Sequence, residues 1–71
     1  MKVPGWELVD KVTEIPAEVG QDYTTFRGEA VVLKRGFPPT ARSSGRIVVE
    51  DQDGEMVYYP GVIGMKWIRR N

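Results

Sequence analysis

The stretch Arg46-Ile-Val-Val-Glu50, followed by Asp53-Gly54 and then Met56-Val-Tyr-Tyr59, decides the fold. It sets two short runs rich in β-branched and aromatic residues on either side of an Asp-Gly pair. Asp-Gly between such runs is the strongest short hairpin signal, because both central residues of a type I′ turn need positive φ. The sequence therefore predicts an antiparallel hairpin closed by a type I′ turn.

Further strands are predicted on both sides of this hairpin. Upstream, Ala30-Val-Val-Leu33 lies between Gly28 and Gly36, and four consecutive apolar residues indicate a strand covered on both faces. Downstream, Pro60-Gly-Val-Ile-Gly64 is too short for an α-helix and favours a 3₁₀ turn. Met65-Lys-Trp-Ile-Arg69 is then predicted to be the last strand.

The remaining segments are less regular. Residues 6–12 fit either a helical face or a strand, and a strand is preferred because valine and tryptophan favour it. Residues 13–24 are predicted to be a loop, with room for a single helical turn at 16–19. Residues 36–45 are predicted to be a second loop, because Pro38-Pro39 cannot donate to a central ladder.

Composition limits the classes of function. The 71 residues are expected to form one domain over positions 1–71, and 41% hydrophobic with 28% charged residues is ordinary for a folded protein. Cysteine and histidine are absent, which removes the thiolate, the commonest metal ligand and the commonest general base. We therefore expect no catalytic, metal or cofactor-binding residues, and no enzyme.

The start of the chain and its apolar runs also bear on location. No apolar run approaches the roughly 20 residues that a membrane-spanning helix needs. Residues 1–6 lack the long apolar stretch of a signal peptide. The sequence-based expectation is a cytoplasmic protein without a membrane partner.

Charge is balanced overall but uneven along the chain. Ten Lys and Arg match ten Asp and Glu, so the net charge is zero. Residues 31–49 hold four bases and no acid, whereas residues 50–57 hold four acids and no base. Such blocks can place opposite charges on different surfaces and so steer a partner.

The order of strand, long loop, hairpin, single turn and last strand resembles the SH3-like small barrels. Tyr59-Pro60-Gly61-Val62-Ile63 is similar to the proline and 3₁₀ corner of that fold. The resemblance implies an all-β, SH3-like barrel of about five strands with a 3₁₀ turn before the last one. Gly28-Glu-Ala-Val-Val-Leu33, Gly36 and Gly45-Arg-Ile-Val-Val49 also resemble the KOW pattern, whose glycine pair brackets a loop that touches RNA or a partner protein.

A second resemblance is to the plasmid-borne trimethoprim-resistant dihydrofolate reductases, which are SH3-like tetramers with a central pore. It rests on the order of Phe26, Gly28, Val31, Lys34, Gly36, Gly45, Ile47, Tyr59, Pro60, Ile68 and Asn71. That family binds substrates through a Val-Gln-Ile-Tyr strand. The aligned residues are Met56-Val57-Tyr58-Tyr59, which lack the glutamine, so the activity is not carried over.

A third resemblance is to small uncharacterised phage-encoded proteins. It rests on Phe26-Arg-Gly-Glu29, Ser44-Gly-Arg46, Tyr59-Pro60 and Met65-Lys-Trp67. It implies a phage-type accessory protein and names no activity.

The loop from Lys34 to Arg46 is the strongest functional candidate. It combines Lys34, Arg35, Arg42 and Arg46 with the aromatic Phe37. Arginine and aromatic anchors suit a protein interface, and the same residues could contact phosphates and stack on a base. The alternative is a solvated loop whose Phe37 packs over the end of the barrel. Zero net charge argues against strong nonspecific nucleic-acid binding.

The aromatic residues suggest a groove of the kind in which SH3 domains hold proline-rich ligands. The resemblance to SH3 domains implies that the long loop with Glu14, Glu18 and Asp22 supplies the acidic residues beside this groove. Trp67 and Tyr59 are expected mostly to be core, and Tyr58 is the better candidate for an exposed contact.

These observations predict a non-catalytic binding module that engages a protein partner. The predicted contact residues are Lys34, Arg35, Phe37, Arg42, Arg46 and Tyr58. The first alternative is a nucleic-acid-binding small barrel that uses the basic loop. The second is an oligomeric, pore-type dihydrofolate reductase. The identity of the partner and the oligomeric state stay open.

Overall fold

The computed structural model describes residues 1–70, and its regular structure is β apart from one 3₁₀ turn at Pro60–Ile63. Within these residues the strands are β1 Lys2–Val3, β2 Trp6–Asp10, β3 Asp22–Thr24, β4 Ala30–Phe37, β5 Arg46–Asp51, β6 Gly54–Tyr58 and β7 Met65–Arg69. The all-β class and the 3₁₀ turn before the last strand are therefore confirmed.

The strands form two antiparallel sheets. One has the order β1-β2-β7 and the other the order β3-β4-β5-β6. The expected closed barrel of about five strands is wrong: residues 1–70 contain seven strands, and no strand pairing joins the two sheets. The extra strands are β1, which folds back on β2, and β3, which lies inside the predicted 13–24 loop.

The core lies between the two sheets. Leu8 and Met65 come from the three-stranded sheet, and Ala17 and Ile63 come from the connections. The four-stranded sheet contributes Val31, Leu33, Ile47 and Val49. Burial of these apolar side chains is the main favourable term in folding so small a domain.

Strand β4 is not covered on both faces, contrary to the prediction from its four consecutive apolar residues. Val31 and Leu33 are buried, whereas Ala30 is exposed and Val32 is only partly covered. β4 also runs to Phe37, further than predicted, with a register irregularity between Leu33 and Arg35. One face packs on the core and the other faces solvent, as is usual for an antiparallel sheet.

The hairpin forms where predicted, with a different turn. Asp51 pairs with Gly54, so Gln52 and Asp53 are the loop residues and neither has positive φ. The predicted type I′ turn with Asp53-Gly54 at its centre is therefore wrong. The Asp51 carboxylate accepts a hydrogen bond from the Asp53 N–H at 2.7 Å, and this local bond favours the observed turn.

The first half of the chain is partly as predicted. Residues 6–10 form a strand, and no helical turn forms at 16–19 within the described residues. The turn after β2 is closed by the Asp10 carboxylate, which accepts hydrogen bonds from the N–H groups of Thr13 and Val12. These bonds favour the charged carboxylate and lower the pKa of Asp10.

Trp67 joins the two sheets over a pair of glycines. A Cβ atom on Gly45 would lie 2.5 Å from Trp67 Cδ1, and one on Gly36 would lie 2.7 Å from Trp67 Cζ2. Gly45 also has φ +98°, a conformation that L side chains rarely adopt. The glycines that the sequence placed around the loop therefore seat the indole against the four-stranded sheet.

Among residues 1–70, no helix is long and apolar enough to cross a membrane.

Candidate functional site

The outer face of strands β4, β5 and β6 is the surface opposite the core. Phe37 lies directly across from Arg46, and Val48 lies between Arg35 and Val57. Side chains alternate between the two faces of a strand, so these positions share one face. The register shift between Leu33 and Arg35 inserts one extra residue into β4, which places both Lys34 and Arg35 on this side of the sheet. We call this surface the outer face, and it consists of Val32, Lys34, Arg35, Phe37, Arg46, Val48, Glu50, Glu55, Val57 and Tyr59.

One end of the outer face carries two aromatic rings and an arginine. The Arg46 guanidinium lies 3.9 Å from the centroid of the Tyr59 ring, and Arg46 Nη2 donates to the Tyr59 hydroxyl at 3.2 Å. Arg46 Nη1 also donates to the Gly45 carbonyl at 2.8 Å, which holds the stack in place. Phe37 is opposite Arg46 on β4. The cation–π contact holds the guanidinium close to an exposed ring.

The centre of the outer face is apolar. Val48 is only 3% exposed although it lies outside the core cluster, because its neighbours Arg35 and Val57 flank it on both sides. Phe37, Val57 and Tyr59 are 51%, 62% and 57% exposed. Phe37 on β4 and Val57 and Tyr59 at β6 lie on either side of β5 on the same face of the sheet. Exposed apolar side chains grouped on one face mark interaction surfaces more often than isolated residues do.

The charge of the predicted basic loop is partly neutralised. Lys34 Nζ lies 3.6 Å from Glu50 Oε1, and Arg35 binds the two carboxylate oxygens of Glu55 at 2.9 and 3.4 Å. No acid stands within residues 31–49, but cross-strand pairing brings in the acids of the next strands. Within residues 1–70, the side chains of Arg42 and Arg46 form no ion pair. Positive charge therefore concentrates at the aromatic end of the outer face.

The six predicted contact residues lie in three places: the outer face, the loop after β4, and, for Tyr58, the opposite side of β6. Lys34, Arg35, Phe37 and Arg46 lie together on the outer face, and Arg42 lies on the loop that joins β4 to β5. Phe37 is half exposed, so it does not pack fully over the end of the core.

Tyr58 points to the opposite side of β6. It packs against the core cluster, and its hydroxyl donates to Met56 Sδ at 3.2 Å. Tyr58 also lines a small cavity between the 25–29 turn and the 3₁₀ turn, together with Thr25, Phe26, Arg27, Glu29 and Val62. The structure therefore does not bring Tyr58 together with the basic residues, and its role as a contact stays a prediction.

The adjacent residue Tyr59 takes the place expected of Tyr58. Tyr59 was expected to belong to the core and is exposed instead, whereas Trp67 does pack against the core. Val57 and Tyr59 were both missed as site residues. The signal that identifies them is the alternation along β6, where Met56 and Tyr58 face inward and their neighbours outward.

The side chains of the outer face offer apolar contact, a guanidinium stacked on a ring, and ion pairs. No group of three or more Asp and Glu residues within positions 1–70 is arranged to hold a metal ion. The buried Trp67 Nε1 atom has no hydrogen-bond partner among the described residues. Since this nitrogen lies against Gly45, it belongs to the contact between the two sheets and not to the outer face.

Comparison of this chain with protein-family models, with curated proteins and with solved structures gives no match.

Proposed function

We propose that this chain is a non-catalytic binding module that engages a protein partner through the outer face of β4, β5 and β6. The observation that carries the proposal is the Arg46–Tyr59 stack beside exposed Phe37 on the sheet face opposite the core. Arginine and tyrosine dominate the energetic centres of protein interfaces, because they combine large contact area with hydrogen bonding.

The partner surface that fits this face is apolar with acidic groups at one side. Phe37 and Val57 need an apolar counterpart, and the charges of Arg42 and Arg46 have no acidic partner among the described residues. Complementary charge speeds association and fixes the orientation of a partner. The order of hairpin, 3₁₀ turn and last strand supports grouping the module with the SH3-like small domains.

The nucleic-acid alternative is less well supported. Strong phosphate binding needs a surplus of positive charge, and the chain has ten acids for ten bases. Two of the four bases of the proposed loop are already paired with carboxylates. An RNA and DNA titration at two salt concentrations separates the alternatives, since phosphate binding weakens steeply with salt.

The proposed function is tested by capture from a lysate of the source cells with matched variants. Phe37→Ser and Arg42→Glu alter the proposed site, whereas Phe26→Ser and Arg27→Glu make the same changes on the exposed 25–29 turn. Phe37 and Phe26 are 51% and 75% exposed, so neither serine should lower the free energy of unfolding by more than about 1 kcal/mol.

We expect the first two variants to lose a protein that the wild type and both controls retain. Loss of this protein from all four variants, or from none, contradicts the proposal. Thermal unfolding of each variant serves as the check that the fold is intact.

A further inference from the structure

The sheet edges of this protein differ in how well they are protected. β1 has two residues and β3 has three, and β7 carries Lys66 and Arg69. β6 is a five-residue edge strand that contains neither Lys nor Pro, and it pairs with β5 without any register shift. Short edges, charged side chains, prolines and bulges are the devices that prevent edge-to-edge pairing. Of these, β6 has only the charged residue Glu55, and its carboxylate is already paired with Arg35 at 2.9 Å.

The backbone of β6 is free on one side. Alternate residues of an edge strand direct N–H and C=O groups away from the neighbouring strand. Among residues 1–70, no hydrogen bond outside the β5 ladder reaches the backbone of Gly54–Tyr58. Another strand can therefore pair with β6 while the fold stays unchanged.

The charges at the two ends of the β5–β6 hairpin select the occupant. The turn end carries Asp51 of β5 and Asp53 of the turn, and the open end carries Arg46 of β5, stacked on Tyr59 just after β6. In an antiparallel pairing of β6 with β6 of a second copy, the acidic end of each copy lies beside the basic end of the other. Because the two copies are related by a two-fold axis, this acid–base contact occurs twice, once at each end of the strand pair. An arbitrary extended peptide has no such built-in complementarity.

The side chains near the axis are compatible with this pairing. Val57 is 62% exposed and would gain an apolar neighbour across the new strand pair. The charge of Glu55 is already compensated by Arg35 at 2.9 Å, so two copies do not bring unpaired like charges together.

We propose that the β6 edge is a self-association site, through which two copies join by antiparallel β6–β6 pairing into one continuous eight-stranded sheet. The four strands of each copy, β3 to β6, supply this sheet. This inference rests on the free edge of β6 and not on the proposed function, although both use Val57 and the Arg46–Tyr59 stack. Self-association is measured with the purified chain alone, so its failure is distinguishable from a failure to capture a partner.

Sedimentation equilibrium of the full chain tests the proposal, between about 1 and 500 µM at low and high salt. We expect the wild type to pass from 8.0 kDa to twice that mass across this range. Val57→Lys should weaken dimerisation at least about tenfold, since an edge lysine opposes strand pairing. Val12→Lys is the matched control at an 81% exposed valine outside β6, and should dimerise like the wild type.

A charge exchange gives a second test that does not rely on Val57. Asp53→Arg alone and Arg46→Asp alone should each weaken the dimer, and the two changes together should restore it, because the pair meets across the two copies. The proposal is overturned by a wild type that stays monomeric at every concentration. It is equally overturned by an assembly insensitive to Val57→Lys, or by a double variant no better than the single ones.

Discussion

The two faces of the β4–β5–β6 sheet are built from the same three strands but differ in exposure. Leu33, Ile47 and Val49 on the inner face are fully buried between the sheets. Phe37, Val57 and Tyr59, which lie on the outer face of the same sheet, are more than half exposed. The inner face therefore supplies stability, and the outer face can change its side chains for recognition at small cost to the fold.

The largest loss of stability is expected where Trp67 packs against Gly45. Gly45→Ala places a Cβ 2.5 Å from the indole and requires a left-handed backbone conformation of alanine. Overpacking and the unfavourable φ together should lower the free energy of unfolding by about 3 kcal/mol. Since a domain of this size has only about 4 to 10 kcal/mol in total, urea unfolding should show a large shift of the midpoint.

Gly61→Ala is the control for this glycine. Nothing lies within 4 Å of a Cβ atom built there, and its φ is not positive. The change in the free energy of unfolding should stay within about 0.5 kcal/mol. Equal effects of the two substitutions would show that the indole does not pack against Gly45.

Valine-to-alanine substitutions at three positions measure how much each face contributes to stability. Val49 is fully buried on the inner face, Val48 is 3% exposed at the centre of the outer face, and Val57 is 62% exposed. Replacement by alanine should lower the free energy of unfolding by about 2, about 1 and less than about 0.5 kcal/mol in that order. Chemical denaturation of the three variants measures the order, and a larger loss at Val57 than at Val49 would reverse the assignment of the faces.

The smallest expected effect concerns the ion pair on the outer face. Arg35 and Glu55 are bonded at 2.9 Å, with side chains 55% and 39% exposed. A double-mutant cycle of Arg35→Ala and Glu55→Ala should give a coupling energy of about 0.2 to 1 kcal/mol that falls in high salt, because exposed pairs are screened. A coupling above about 2 kcal/mol, unaffected by salt, would mean that the outer face contributes to stability like a buried network.

Sequence patterns were sufficient to predict the elements of secondary structure that depend on a local signal. The hairpin, the 3₁₀ turn and strand β7 follow from Asp-Gly, from proline and from β-branched runs, all of which act over a few residues. The strands β1 and β3 were missed because two or three residues carry no periodicity. Their pairing partners are set by the tertiary arrangement, which the local pattern does not contain.

The candidate site was predicted in part for the same reason. The basic and aromatic content of residues 34–46 is visible in the sequence, and four of the predicted residues do share the outer face. The ion pairs of Lys34 and Arg35 depend on the strand register and on the irregularity between Leu33 and Arg35, neither of which a local sequence pattern contains. A shift of one residue along β6 likewise exchanges Tyr58 for Tyr59.

The indole held over Gly36 and Gly45 gives the protein a built-in optical reporter. The chain has two tryptophans, and Trp67 has its ring nitrogen sealed from solvent in the contact between the sheets. Its emission depends on the polarity around the ring, so separation of the sheets shifts it to longer wavelength. With Trp6 replaced by phenylalanine, fluorescence would follow the opening of this one contact without any attached dye.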